Sequence, residues 1–164
     1  MSHKLLVAVE GGANSVFTVV YAAQACAGGQ DPERGGMVIF HVLPPLPPSV
    51  ESGDAAVTRE LARRFDAENR NAATLRLKQL RNQAIQQGAE PELVRTAVAE
   101  NGEGVLDQIL RAATIHGCDT IVVGRRGQSL IKEFLAGSVM ERLVWKPLGF
   151  AVWIVEHPRS GEAL

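Results

Sequence analysis

Apolar and polar positions follow two rhythms along this chain. Short runs are apolar almost throughout: KLLVAV (4–9), MVIFHVL (37–43), DTIVVG (119–124) and FAVWIVE (150–156). A fifth run, PELVRTAV (91–98), mixes charge with apolar residues. Between them lie stretches whose apolar residues recur at three and four positions, predicting helices over 14–27, 54–87, 103–116 and 138–146. In the third of these, Val105, Leu106, Ile109, Leu110 and Ala113 form one face. Val139, Met140, Leu143 and Val144 do the same in the fourth, and Pro147 ends it by disfavouring helical dihedrals at Lys146.

Strand and helix alternating from end to end predict right-handed crossovers and a parallel sheet, an α/β fold. Runs that are apolar on both faces belong to strands covered on both sides, and this describes the first, second and fourth. The third carries Glu92 and Arg95, which suits an edge. The expected order is therefore 3-2-1-4-5 in an open five-stranded sheet with helices on both faces. The fifth strand then sits at the other edge while apolar on both faces, which is a pairing hazard unless covered. A twofold homodimer through the region of Phe150, Val152 and Ile154 covers it, and a C-terminal segment folded over the edge is the alternative.

The second helix follows a proline-rich loop, PPLPPSVESGD. Its Val57, Leu61, Phe65, Ala72 and Leu75 fall within about 80° of one another, predicting that this stripe faces the sheet. Past Leu77 the stripe drifts, so the far end is expected to bend or overhang. Seven basic residues on this helix (Arg59, Arg63, Arg64, Arg70, Arg76, Lys78 and Arg81) against Glu60, Asp66 and Glu68 read as a solvated face.

Bulk composition narrows the function classes. The 164 residues are 46% hydrophobic and 21% charged, the balance of one globular domain spanning 1–164, with 157–164 expected to be a loose tail. A net charge of −1 and 5% aromatic residues argue against nucleic acid as a partner. Cys26 and Cys118 are isolated and read as small buried side chains, not a disulfide framework or a zinc site. The opening apolar run is too short for a signal segment, and no stretch reaches membrane-spanning length, so a cytoplasmic protein without membrane contact is expected.

Candidate chemistry sits where the winding direction reverses, between the first and fourth strands, because open sheets bind ligands beyond the carboxyl ends of strands at that crevice. EGGANS follows the first strand there and GRRG follows the fourth. In GRRGQSLIKEFLAGSV, Gly124, Gly127, Gly137 and Ser138 form the pattern G-x2-G-x9-G-S, whose chance occurrence is well under about one in a hundred. Glycines admit an anion close to backbone N–H groups, and Ser138 opens a helix whose unpaired N–H groups and dipole favour phosphate. A tight turn followed by a simple helix cap is the plainer explanation of the same residues.

The chain resembles the universal stress proteins over nearly its whole length: LLVAVEGGANS, VIFHVLPP, CDTIVVGRRG and LIKEFLAGSVMERLV carry the likeness. Its glycine spacing is similar to that of the family's ATP-binding branch. The resemblance implies an adenine nucleotide alpha hydrolase-like fold and a homodimer through the last strand. It also implies ATP in the crevice, with ADP and AMP as alternatives and Mg²⁺ as an optional companion of the nucleotide. Gly127, Gly137, Ser138 and Val139 would contact phosphates, Gly124 would lie beside ribose or phosphate, and the backbone of Val42 would meet the adenine edge. Glu10 would hold the ribose hydroxyls. The family usually has aspartate there, followed by glycine and serine; Glu10-Gly11-Gly12 shifts the carboxylate by about 1.5 Å. The proline common before the last strand is also absent.

Two enzyme readings fail on particular residues. EGGANS echoes the S-G-G-x-D-S loop of ATP pyrophosphatases but has Glu10 and Asn14 at the serine and aspartate positions. The H-x-G-H motif of nucleotidylyltransferases has no counterpart, since His3, His41, His116 and His157 are isolated; His41 reads as a packed histidine. No catalytic residue and at most slow ATP hydrolysis are expected. An ATP-binding stress-response or regulatory protein is the leading reading, and a dimeric interaction module of the same fold without nucleotide is the other.

Overall fold

The computed structural model describes residues 3–12, 14–27, 35–45, 53–100, 104–124 and 149–156. The chain-order elements are β1 (Lys4–Ala8), α1 (Asn14–Cys26), β2 (Gly36–Val42), α2 (Ala55–Gln86), β3 (Val94–Ala99), α3 (Val105–Ile115), β4 (Thr120–Gly124) and β5 (Ala151–Val155). All pairings are parallel, in the order β3-β2-β1-β4-β5. The order expected from strand composition is thus the observed one. The predicted fourth helix (138–146) and the tail (157–164) lie outside the described residues.

β1 is central because its residues can be covered from both sides. Leu5, Val7 and Val9 point to a layer shared with α1 and α2, packing with Val19, Leu77 and Leu80. Leu6 and Ala8 point to the other layer, packing with Ile109 and Ala113 of α3. Period-two alternation along an apolar strand therefore feeds two cores at once.

Two predicted elements are corrected. The third strand begins at Val94, not at residue 91, because Pro91–Leu93 form a 3-10 turn. Pro91 has no N–H for a sheet ladder, and Leu93 N donates to Glu90 O at 2.9 Å to close the turn. Arg81 of α2 holds the corner, donating to Val94 O at 2.9 Å and to Pro91 O at 2.7 Å.

The second correction concerns α2. Its packed residues are Ala73, Leu77, Leu80 and Ala84, whereas Val57, Leu61 and Leu75 of the predicted stripe are exposed. The buried face is rotated from the predicted one by roughly 130° at 100° per residue. The well-packed half is the C-terminal one, the reverse of the expected overhang. A 32-residue helix spans about 48 Å, about twice the reach of the seven-residue β2, so one half must outrun the sheet. The basic residues do form a solvated face: Arg64 pairs with Glu60 at 2.9 Å, and Arg70 with Glu100 at 2.7 Å.

At the amino ends of the strands, Asp119 ties β1 to β4. Its carboxylate accepts from the Thr120 hydroxyl at 2.6 Å and from Lys4 N at 3.2 Å, and it lies 3.2 Å from His3 Nδ1. Partial burial pushes its pKa up, but the hydrogen bonds from Thr120, Lys4 and His3, with the charge of His3, outweigh it and hold the carboxyl below the ordinary value. A depressed folded pKa means stabilisation present above the unfolded value and lost as pH falls through the folded one. Wild type is therefore expected to exceed Asp119→Asn in stability at neutral pH. Urea titrations from about pH 5 downward should show that gap closing; a gap independent of pH would refute the assignment.

Both thiols sit in apolar surroundings. Burial raises the pKa of Cys26, helped by the Asp119 charge, and burial pushes the Cys118 thiol up to about 11. This agrees with their reading as packing residues. Among the described residues no helix is long and apolar enough to cross a membrane.

Candidate functional site

Where β1 and β2 end, the chain leaves a cavity of about 620 Å³. Ala8, Val9, Glu10 and Gly11 form one wall and Phe40 to Pro45 another. Asn69, Ala72, Ala73 and Arg76 of α2 close it on one face of the sheet, and Val105 and Ile109 of α3 on the other. The position follows from the topology: parallel strands all release their chains on the same edge, so loops converge there while helices flank it.

The walls are held by backbone and side-chain hydrogen bonds. Val9 N donates to Phe40 O at 2.9 Å, extending the ladder past β1, and Leu43 N donates to Ala99 O at 2.8 Å. His41 Nδ1 donates to Val9 O at 2.9 Å, clamping the ends of β1 and β2 together. His41 is thus hydrogen-bonded, as its reading as a packed residue requires, and it also lines the cavity. The Ser15 hydroxyl, in the first turn of α1, donates to the carbonyl of Glu10 and fixes the departure of the loop.

Of the residues singled out in the sequence, Glu10 and Val42 come together in this cavity. Gly124 ends β4 and does not line it. A Cβ there would meet Thr18 Oγ1 at 2.5 Å, and that hydroxyl is committed to Asn14 O at 3.0 Å. Glycine at 124 therefore lets α1 lie close on β4, whatever else it does. Gly127, Gly137, Ser138 and Val139 lie outside the described residues.

The α2 contribution was not foreseen. Asn69, Ala72, Ala73 and Arg76 share a face at the spacing of one and two helical turns. Arg76 sits near Gly11, its Nη1 3.9 Å from where a Cβ would stand on that glycine. It makes no hydrogen bond or ion pair among the described residues, and it also borders a neighbouring cavity with Gly12, Val16 and Gln83. The polar-small-small-cation pattern is visible in the sequence, but the misphased stripe assigns Ala72 to the sheet and Arg76 to the solvated face.

A five-stranded, doubly wound parallel sheet with a cavity at its strand carboxyl ends is an α/β architecture of the kind that places ligand sites at that edge. The model of the Universal stress protein family matches residues 1–147, and the chain belongs to that family. Solved structures agree on the fold. A universal stress protein in complex with cAMP is 21% identical, with a TM-score of 0.59 over 93% of this chain and 96% of the other. UspA from Lactobacillus plantarum is 21% identical with a TM-score of 0.59, covering 93% and 97% of the two chains. The Archaeoglobus fulgidus universal stress protein in complex with dAMP is 18% identical with a TM-score of 0.57, covering 93% and 96%. No curated protein matches significantly.

Proposed function

We propose that this protein binds an adenine nucleotide, ATP foremost with ADP and AMP as alternatives, and acts as a regulatory protein of the ATP-binding branch of its family. The observation that carries this is the meeting in one cavity of Glu10 and Val42, for which the resemblance to the universal stress proteins implies contact with ribose and adenine. Two structurally similar proteins of the same family are in complex with cAMP and dAMP. In the proposal Glu10 accepts hydrogen bonds from ribose hydroxyls, and the Val42 main chain meets the base. Gly127, Gly137, Ser138 and Val139 hold the phosphates through backbone N–H groups and the Ser138 hydroxyl, with Mg²⁺ accompanying them where it is bound.

We further propose a homodimer through β5. Val152 and Ile154 are 36% and 53% exposed on this edge strand, and a second copy of the strand would cover them. The same surface supports the other reading, an interaction module that binds no nucleotide.

Thermal unfolding with ATP, ADP, AMP, cAMP and GTP separates the two. At a hundred times its dissociation constant a ligand stabilises by about 2.7 kcal/mol, and the adenine nucleotides are expected to raise Tm accordingly. A Gly137→Val/Ser138→Ala variant should lose the shift for ATP. If no nucleotide shifts Tm, in protein shown by mass spectrometry of a denatured extract to carry none, the interaction module stands.

A further inference from the structure

Among the described residues, one buried side-chain polar atom has no hydrogen-bond partner: Nδ2 of Asn69. Folded proteins rarely leave a buried donor unmet, and an exception calls for a physical reason. The position supplies a reason. Asn69 lines the cavity on the same helical face as Ala72 and Ala73, and Phe40 and Val42 line it too. Apolar ligand sites use such sparse polar groups to fix orientation and specificity.

We propose that Asn69 reads the base of the bound nucleotide, selecting adenine over guanine through the N6/N7 edge. A carboxamide presents one donor and one acceptor in a plane. Adenine offers the complement, with N7 accepting from Nδ2 and the N6 amino group donating to Oδ1. Guanine offers O6 and N7, two acceptors, so the amide oxygen would face a second oxygen while only the Nδ2 donation to N7 was kept. The Val42 main chain is left for the other edge of the same base. The assignment rests on the adenine-nucleotide reading above and adds to it a side chain from α2 that the glycine motif does not contain.

The test is a binding cycle on the full chain, using ATP, GTP and 7-deaza-ATP, in which a carbon replaces N7. Wild type is expected to prefer ATP over GTP by about tenfold to a hundredfold, and to bind 7-deaza-ATP about tenfold more weakly than ATP. In Asn69→Ala both ratios should fall towards one, because the lost contact and the lost partner are the same interaction. Without ligand, Asn69→Ala should melt no lower than wild type, since it removes an unmet buried donor. That separates a recognition role from a structural one. If wild type binds ATP but Asn69→Ala keeps both ratios, Asn69 does not read the base and only this assignment falls. If wild type binds no adenine nucleotide, the functional reading falls and takes this one with it.

Discussion

Leu77→Ala is expected to cost about 2–5 kcal/mol, while Leu75→Ala, two residues earlier in the same helix, should stay within about 0.5 kcal/mol. Both changes have the same chemistry and the same gain in helix propensity, so only tertiary burial separates them. Leu77 is 2% exposed and packs in the layer between α2, α1 and the sheet. Removing its side chain leaves a cavity that a close-packed core cannot collapse around fully. Leu75 is 62% exposed and loses little. Urea unfolding of the two variants measures the difference directly. Equal costs would return α2 to the phase read from its apolar stripe, with Leu75 against the sheet.

Gly36→Ala should lower stability by a comparable amount, for a reason rooted in the backbone. Gly36 opens β2 at φ +133°, and a Cβ there would stand 2.8 Å from Leu93 O and 3.6 Å from Leu93 Cβ. The backbone region costs a residue with a side chain about 1–3 kcal/mol, and overpacking against a carbonyl adds about 1–3 kcal/mol. The carbonyl cannot swing away cheaply. Leu93 belongs to the turn that delivers β3 to its pairing with β2 through Met37 and Val94. Gly53→Ala is the matched control, since a Cβ at Gly53 meets nothing within 4 Å. It should be neutral or raise stability by up to about 1 kcal/mol. Chemical denaturation of both variants checks the contrast, and a near-neutral Gly36→Ala would refute the tight approach of the 91–93 turn.

What was legible in the sequence was whatever depends on local rhythm plus the chirality of connections. Runs apolar on both faces identified β1, β2 and β4 as interior strands, and of the two charges read as marking the third strand an edge, Arg95 lies on β3 while Glu92 lies in the turn before it; right-handed crossovers then left few orders to choose from. The pairing of Glu10 with Val42 is implied by the family resemblance, and the topology accounts for it, because the carboxyl ends of neighbouring parallel strands emerge side by side.

Tertiary structure decided the rest. Periodicity can say that a helix has a face, but not which half of a 32-residue helix meets a shorter sheet. The α2 stripe was misphased because Val57, Leu61 and Leu75 recur in phase with one another yet stay exposed, while the residues that pack, Ala73, Leu77, Leu80 and Ala84, follow another phase. Thr18 determines that position 124 must be glycine for packing, a contact between elements far apart in the chain. Asn69 is unremarkable as one polar residue among many on α2. It becomes a candidate for base recognition only because the crossing of α2 over the strand ends buries its amide nitrogen without a partner among the described residues. Local patterns set which elements form and how they wind; the distances between elements determined what the site contains, because desolvation and close contact exist only once those elements are packed.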